Sequence, residues 1–356
     1  MRFADIPGNA DVKRAMINMA KSGRVPHAIM LYENEGCGAL ALGLAFLQYL
    51  NCQDRGEEDS CGQCRNCGQI ERLTYPDLRF SFPITSGTKV SGAAKDLTCD
   101  AYSALFKELV LKNPYFAENE LSAALGIDKK SGLISVAEGK AIMQKLSLAP
   151  VTDGWRGIFV WLPEKMNQQT ANMLLKSLEE PAEKTLFILI THSPESVLTT
   201  ITSRCQGMRV MPLTKEEKAK IQKYTDSDDA ETSLYDEMFK SLIERLIARD
   251  LAGSLEHGEA LAGLESREKQ KAFCIFAGEG VRSLMLYRRG LQQLSSVEEG
   301  DAAWYGSAAQ KLPDGFAEAA GAAIGRAAFL LERNVLAKII FCNLVNRLFE
   351  CTKTKI

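Results

Sequence analysis

The chain has 356 residues, of which 46% are hydrophobic and 25% are charged, and its formal net charge at pH 7 is -2. This length exceeds what one ordinary hydrophobic core supports and predicts two or three globular domains. The lack of a basic excess argues against a dedicated nucleic-acid binder, so any DNA contact must be local or shared with partners.

The N-terminal segment MRFADIPGNADVKRAM lacks the basic-then-apolar order of a signal peptide. No stretch approaches about 18 uninterrupted apolar residues, so no membrane span is predicted. Four of the ten cysteines lie within residues 52–67, and in a chain without a leader such crowding favours a metal site over disulfides. We therefore expect a reducing, cytoplasmic location.

The first half of the chain alternates helical and strand-like segments. Apolar residues recur at helical spacing in four segments, which are 9–22, 39–50, 135–148 and 167–181. Three short apolar runs are predicted as strands, namely 27–33, 154–162 and 185–193. Ser135 and Glu138 form a capping-box pattern at the start of the third helix. The alternation predicts an α/β domain with a parallel sheet and crossover helices.

Residues 78–134 interrupt this alternation. The segment is rich in Ser, Gly and Thr at first, and only 101–111 has helical spacing. We interpret it as an irregular insertion whose role the sequence does not reveal.

The strand signal ends at about residue 212. The segments beyond it are helix-like, and they are 215–224, 234–252, 266–289, 302–311 and 316–350. This shift predicts three parts: an α/β domain over 1–212, a short helical linker over 213–233 and a helical domain over 234–356.

The segment LYENEGCGAL has the layout of a phosphate-binding loop between a strand and a helix. A working loop reads G-x-x-x-x-G-K-[ST], because backbone N–H groups, the lysine and the hydroxyl hold the phosphates and magnesium. Gly36 and Gly38 keep the turn, but Glu33 takes the first glycine position. Ala39 and Leu40 replace the lysine and the hydroxyl residue, so the loop is degenerate.

The rest of the nucleotide site is degenerate as well. Glu33 and Glu35 add negative charge near the anion position, which costs roughly 1 kcal/mol at about 4 Å in water and more in a cleft. The magnesium site of such enzymes needs acidic residues at a second strand end. Here the strand in IFVWLPEKMN ends in Trp161 and Leu162. The loss of both halves favours a decayed ATPase over an ordinary glycine-rich turn.

Cys52, Cys61, Cys64 and Cys67 follow the spacing C-x8-C-x2-C-x2-C. Four thiolates in so short a segment suit tetrahedral zinc, and a site filled by four protein ligands is structural. An iron–sulfur cluster uses the same ligands, but no proline or fourth cysteine completes the ferredoxin run. The remaining cysteines are predicted to be packing residues, and they are Cys37, Cys99, Cys205, Cys274, Cys342 and Cys351.

The segment SPESVLTTITSRCQ places Ser203, Arg204 and Cys205 in a turn after a short helix. Taken alone, Arg204 could be an ordinary surface arginine. A nucleophilic pair of Cys205 and His192 is a weaker alternative, because no triad context surrounds it.

Residues 167–206 resemble the clamp-loader branch of the AAA+ family, and the cysteine spacing and the segments FADIPGNADVKRAM and RVPHAIML fit the same branch. The resemblance covers about 3–77 and 133–212 and, more loosely, the helical C-terminal part. It implies an AAA+ P-loop-type parallel-sheet domain with an embedded zinc module, followed by an all-α lid and an oligomerisation collar. The long insertion and the short lid depart from the family pattern.

The missing lysine points, within that branch, to a subunit that hydrolyses no ATP rather than to the γ/τ type. The resemblance implies a five-subunit ring with γ/τ and δ subunits in DNA polymerase III, which loads the sliding clamp onto primed DNA. Arg204 would act as an arginine finger on a neighbour's ATP, with Ser203 and Cys205 supporting its turn, and Thr191 matches a sensor position. The implied cofactor is structural zinc, with no ATP bound.

Two other functions remain open from the sequence. An active γ/τ-like AAA+ ATPase with unusual motifs would hydrolyse ATP by itself. A zinc-dependent DNA-binding module would use the cysteine segment, but the acidic balance of that segment argues against a direct grip on phosphates.

Overall fold

The computed structural model describes residues 1–90, 92–93, 96–127, 132–221, 228–295, 297, 299–333 and 335–353. The chain divides into two compact units, Met1–Thr225 and Asp226–Ile356. Among the described residues, no helix has the length and apolar character needed to cross a membrane.

The first unit is built on a five-stranded sheet in which all neighbouring strands are parallel. The strands are β1 (Ala28–Tyr32), β2 (Leu78–Ser81), β3 (Arg156–Trp161), β4 (Thr185–Thr191) and β5 (Gln206–Arg209). Their order across the sheet is β2-β3-β4-β1-β5. The predicted parallel sheet is thus confirmed, with β1, β3 and β4 as its centre.

Both edge strands were absent from the sequence prediction, which was wrong in treating residues 78–81 as irregular. In β2 the polar residues Arg79 and Ser81 are buried, whereas Leu78 and Phe80 are only half-buried. Such a strand gives no hydrophobic signal. β5 has four residues that are largely exposed, so it lacks an apolar run as well.

Nine helices accompany the sheet in the described part of the first unit. They are α1 (Ala10–Lys21), α2 (Ala39–Asn51), α3 (Arg65–Glu71), α4 (Ser103–Lys112), α5 (Glu118–Leu125), α6 (Val136–Ser147), α7 (Gln168–Glu179), α8 (Thr199–Thr202) and α9 (Lys215–Ile221). The four helices predicted between residues 9 and 181 are confirmed.

Helix α2 lies directly against the middle of the sheet. A Cβ atom on Gly43 would lie 2.8 Å from Phe159 of β3 and 3.0 Å from Ile188 of β4, so only glycine permits this approach. Nearly every residue of α2 is buried. The helix that follows the phosphate loop is therefore fixed rigidly to the strands that end beside that loop.

The capping box predicted at the start of α6 forms only in part. The Ser135 hydroxyl accepts a hydrogen bond from the backbone N–H of Glu138, at 3.4 Å. The Glu138 carboxylate does not return to Ser135 but accepts from the Arg79 guanidinium at 3.1 Å and from the backbone N–H of Cys99 at 2.8 Å. The same Arg79 donates to Asp100. This network, in which Arg79 and Glu138 are buried, joins β2 and the segment at Cys99 and Asp100 to α6.

The described residues of the insertion contribute to the core of the first unit. The two ends of the insertion are joined by a short antiparallel bridge between Ile84 and Leu133. The rings of Phe82 and Phe106 stack with centroids 4.1 Å apart, and Phe106 of α4 also packs against Phe80 of β2 at 5.1 Å. Stacked aromatic pairs of this kind add to the stability that burial already provides.

The described part of the second unit is entirely helical. Its helices are α10 (Asp228–Ile247), α11 (Leu251–Ala262), α12 (Arg267–Arg288), α13 (Glu299–Lys311), α14 (Phe316–Glu332) and α15 (Ala337–Cys351). They enclose a separate core that includes the fully buried rings of Phe239, Phe273 and Phe341.

Two helix boundaries in this unit differ from the prediction. The predicted helix 234–252 ends at Ile247, because Arg249 adopts a left-handed backbone and Asp250 caps α11 through the N–H of Gly253. The predicted helix 316–350 is interrupted between Glu332 and Ala337. The apolar pattern continues across both breaks because the helices on either side bury residues in the same core.

Candidate functional site

The degenerate phosphate loop lies at the carboxyl edge of the sheet. It follows β1, which lies between β4 and β5, and it leads directly into α2. In open α/β sheets, ligands bind at this edge. Gly36 and Gly38 have φ angles of 79° and 95°, so the tight turn needs glycine at both positions. The frame of a nucleotide site is therefore intact in the backbone.

The anion position of this loop is occupied by a side chain of the loop itself. Oε2 of Glu33 accepts a hydrogen bond from the backbone N–H of Ala39, the first residue of α2, at 2.8 Å. The N–H groups at a helix N-terminus attract anions, which is why phosphates bind there. The Glu33 side chain is only 5% exposed. A carboxyl group thus takes the place of a phosphate oxygen.

Burial controls the charge of this carboxyl group. It raises the pKa of Glu33 to about 7, although the hydrogen bond from Ala39 and the nearby His192 imidazole act to lower it. Oε1 of Glu33 lies 3.9 Å from Nε2 of His192, whose Nδ1 lies 3.4 Å from Oε1 of Glu35. Although burial lowers the pKa of His192, the carboxylates of Glu35, Glu33 and Glu164 outweigh it and raise that pKa.

The region after β3 and β4, where the sequence predicts the degenerate second half of the site, is filled by side chains. Trp161 ends β3 and is 2% exposed, and its ring meets the imidazole of His192 edge-on at 5.6 Å. Glu164, which sequence reasoning missed, accepts from the hydroxyl of Thr191 at 2.8 Å and from the backbone N–H of His192 at 3.1 Å. The Glu164 carboxylate thus fixes the end of β4. The Thr191 hydroxyl is engaged in a hydrogen bond to a residue of the same chain.

The four cysteines of the C-x8-C-x2-C-x2-C segment come together. Their sulfur atoms all lie within 4.8 Å of one another, and Sγ of Cys61 is 3.9 Å from Sγ of Cys67. A tetrahedral zinc ion about 2.3 Å from each sulfur would separate the sulfurs by about 3.8 Å. The donor set and its spacing therefore fit zinc held by Cys52, Cys61, Cys64 and Cys67.

Backbone N–H groups in this cluster stabilise the thiolate form of a cysteine. The N–H groups of Gln63 and Cys64 point at Sγ of Cys61 at 3.4 and 3.3 Å, and these bonds lower the pKa of the Cys61 thiol to about 6. The N–H of Cys61 in turn donates to Sγ of Cys52 at 3.2 Å. The thiolate is the form that binds metal.

The cysteine cluster is remote from the phosphate loop. Helix α2 starts at the loop and its C-cap is Cys52, so its 13 residues separate the two sites by about 20 Å. Asp59, within the segment, accepts from the backbone N–H groups of Phe3 and Ala4. Asn66 donates to the carbonyl of Asn51 at 2.9 Å. The cluster thus anchors the N-terminus to the end of α2 and does not reach the phosphate loop.

The turn that carries Arg204 lies at the amino ends of the parallel strands, whereas the phosphate loop lies at their carboxyl ends. It follows α8 and directly precedes β5, whereas the loop follows β1. Because β1 and β5 are parallel, the two sites are separated by a strand length of about 15 Å. Arg204 therefore does not reach this chain's own phosphate loop.

Local contacts orient the Arg204 guanidinium. Its Nε donates to Oε1 of Glu179 at 2.8 Å, and its Nη1 donates to the carbonyl of Thr200 at 2.8 Å and to the Ser203 hydroxyl at 3.3 Å. The side chain remains 34% exposed. Cys205 packs beside the turn, and burial raises the pKa of its thiol to about 11, which does not suit a nucleophile.

The weaker alternative of a Cys205–His192 pair is excluded by position. His192 follows the carboxyl end of β4, and Cys205 precedes the amino end of β5. The two side chains thus belong to opposite edges of a parallel sheet.

The chain is similar to proteins of one replication complex. A family model described as DNA polymerase III, delta subunit, matches residues 8–214. DNA polymerase III subunit delta' of Yersinia pestis is 29% identical over 194 residues, which are 54% of this chain and 44% of that protein. DNA polymerase III subunit tau/gamma of Haemophilus influenzae is 24% identical over 203 residues, which are 57% of this chain and 23% of that protein.

The chain spans about half the length, or less, of these curated relatives. Among solved structures, a DNA polymerase III gamma subunit-related protein from Thermotoga maritima is 14% identical, with 96% of this chain and 100% of that chain covered. The TM-score of this superposition is 0.37, which is too low to support an argument about fold or function.

The cysteine cluster predicts a bound zinc ion. We expect purified protein to contain about one zinc per chain and Cys64→Ser to lose most of it, because three thiolates do not complete the tetrahedral site. Cys205→Ser is the matched control and should retain the metal, since Cys205 lies outside the cluster. Elemental analysis by mass spectrometry checks both, and iron in place of zinc would refute the assignment.

The Glu33 carboxyl group predicts a pH dependence of stability. Its pKa of about 7 in the folded state exceeds the value of 4.5 for an exposed group, so the folded chain keeps a proton that the unfolded chain loses. Stability should therefore fall as pH rises from about 4.5 to about 7, by up to roughly 3 kcal/mol. The raised pKa of His192 adds a fall of the same sign above its ordinary value.

Glu33→Gln keeps an acceptor for the N–H of Ala39 and removes the titrating group. Urea-unfolding midpoints of this variant should vary less between pH 4.5 and 7 than those of the unmodified chain. Glu195→Gln, at an exposed position, should leave the pH profile unchanged. Equal pH profiles of stability for Glu33→Gln and the unmodified chain would show that the Glu33 carboxyl group does not cause the pH dependence.

Proposed function

The chain belongs to the DNA polymerase III, delta subunit family, and we propose that it serves as the δ′-type subunit of a clamp loader and binds no ATP of its own. The observation that carries this proposal is the hydrogen bond from the N–H of Ala39 to Glu33. In a working loop, this backbone faces a nucleotide phosphate and residue 39 is lysine. Here the chain's own carboxyl group occupies the anion position.

In this proposal Arg204 acts on the ATP of a neighbouring subunit. Its position at the edge of the sheet opposite the phosphate loop supports a role in trans, because the guanidinium does not reach the loop of its own chain. An arginine supplied by a neighbour neutralises the charge that develops on the γ-phosphate, and such residues raise hydrolysis by about 10³ to 10⁵. Ser203 and the carbonyl of Thr200 hold the turn that presents it.

The partner of Arg204 in this chain is consistent with such a role. Glu179 offers the guanidinium one carboxylate oxygen, and both side chains are partly exposed. Exposed ion pairs of this kind contribute at most about 1 kcal/mol, so exchanging Glu179 for phosphate oxygens costs little. The planar guanidinium matches phosphate oxygens, and lysine would not reproduce that geometry.

The proposal extends to the assembly that this chain would join. The chain would join γ/τ and δ subunits in a five-subunit ring in the cytoplasm, and the ring would load the sliding clamp onto primed DNA. The chain would be a non-catalytic component of the DNA polymerase III holoenzyme, whose activity is DNA-directed DNA synthesis. The cysteine cluster would hold structural zinc and stabilise the end of α2.

The other two functions receive less support. An active γ/τ-like ATPase would need a lysine and a hydroxyl where this chain has Ala39 and Leu40, both buried. A zinc-dependent DNA-binding module would need a free basic face on the cysteine segment. In the described structure, the exposed arginines of this region, Arg55, Arg65 and Arg72, are interspersed with the exposed acidic residues Asp54, Glu57, Glu58 and Glu71, so no continuous basic face forms.

Replacement of Arg204 tests the proposal. We expect a reconstituted clamp loader carrying Arg204→Ala in this chain alone to lose about a third or more of its DNA-stimulated ATPase rate, since one of the three γ/τ sites of the ring loses its arginine. Arg204→Lys should restore little of the rate. Steady-state phosphate release, with assembly checked by gel filtration, measures both.

Arg209→Ala is the matched control, because Arg209 is an exposed arginine on the following strand. Its rate should equal that of the unmodified complex. An unchanged rate for Arg204→Ala in an intact complex would refute the arginine-finger role.

A further inference from the structure

We propose that the insertion is an internal cover of the former nucleotide cleft, with the connector between α4 and α5, residues 113–117, lying where a nucleotide would bind. This assigns a role to a segment that the proposed function leaves unexplained. The inference extends the proposal that this chain binds no ATP. It rests on that proposal only because it treats the loop after β1 as a former nucleotide site.

The first contact of the connector is with the phosphate loop itself. A Cβ atom on Gly38 would lie 2.6 Å from Cε1 of Tyr115, and one on Gly36 would lie 3.4 Å from the Tyr115 carbonyl oxygen. Tyr115 is 6% exposed. Its ring therefore lies directly against the turn whose backbone faces phosphates in a working loop.

The second contact is with the neighbouring strand ends. The ring of Phe116 lies 5.1 Å from that of Trp161 at the end of β3, and Trp161 meets His192 beyond the end of β4. Glu118, at the start of α5, forms an ion pair with Lys165, just beyond β3. The connector thus extends over the carboxyl ends of β1 and β3, which is where ligands bind in such sheets, and Trp161 lies between it and His192.

Hydrogen bonds hold the connector in this conformation. Oδ1 of Asn113 accepts from the N–H of Tyr115 at 2.9 Å, and its Nδ2 donates to Glu120 at 3.1 Å. Glu120 also accepts from the N–H of Ala117 at 2.8 Å, which caps α5. Asn113 is buried, as are the aromatic side chains of the connector. The cover is therefore part of the core.

Two different groups of the chain thus replace two parts of a nucleotide. Glu33 occupies the anion position at the start of α2, and the connector occupies the space above the loop. Restoring the residues that hold phosphate, through Ala39→Lys and Leu40→Thr, should therefore not restore binding. Removing the two occupants as well, through Glu33→Gly and Tyr115→Ala, should open the cleft.

The test is binding of a fluorescent ADP analogue to the full chain with magnesium. The variant with all four substitutions should bind at least about tenfold more tightly than Ala39→Lys/Leu40→Thr/Glu33→Gly, because the two differ only in the Tyr115 ring over the loop. Equal affinity of the two variants would overturn the cover. Tight binding by the unmodified chain would instead refute the proposed ATP-free function, so the two failures are distinguishable.

A second measurement does not require the variant with four substitutions to fold. In Tyr115→Ala alone, hydrogen exchange of the amides at residues 36–39 should rise by about tenfold or more, while amides of β3 and β4 stay protected. Leu111→Ala, at an exposed position of α4, is the matched control and should leave both sets unchanged. Unchanged exchange at residues 36–39 in Tyr115→Ala would overturn the cover independently.

Discussion

The hydrogen bond from Ala39 to Glu33 is the contact on which the rest of this account depends. A helix N-terminus presents unpaired N–H groups, and in a buried cleft those groups need an acceptor. A nucleotide phosphate supplies it in a working loop, whereas this chain supplies it from residue 33. The frame of the site, with its glycine turn and buried α2, can therefore persist without a ligand.

The parallel sheet separates the two ends of the unit. The carboxyl edge carries the closed loop, Trp161 and the connector around Tyr115, while the amino edge carries Arg204 and Glu179. In the proposed function the carboxyl edge binds no nucleotide, and the amino edge presents a guanidinium with one exposed carboxylate partner. In the proposed function, such a subunit would contribute to catalysis only through a neighbour. The helical second unit has its own core.

Much of this arrangement was predictable from local pattern. Apolar runs gave the central strands, the cysteine spacing gave the cluster, and the residues at 33, 39 and 40 indicated a degenerate loop. The edge strand at Leu78–Ser81 was missed because its buried residues are Arg79 and Ser81, which reverse the usual pattern. The break between α14 and α15 was missed because both helices bury apolar residues in one core.

The contacts that close the cleft could not be predicted for a different reason. Tyr115 meets Gly38 across 77 positions of the chain, and no periodicity in either segment records that contact. The negative charge of Glu33 and Glu35 near the loop was visible, but not that Glu33 itself would bond to Ala39. Glu164 gave no signal, because its partners at Thr191 and His192 are brought to it by strand order.

The central claim is that this chain has no nucleotide of its own and serves the nucleotide of a neighbour. The most direct measurement is an electron cryomicroscopy structure of the clamp loader reconstituted with this chain and an ATP analogue. The account predicts that Glu33 stays bonded to Ala39 and that Arg204 contacts the γ-phosphate group of the analogue in an adjacent subunit. Analogue density against residues 36–39 of this chain, with Arg204 still on Glu179, would contradict it.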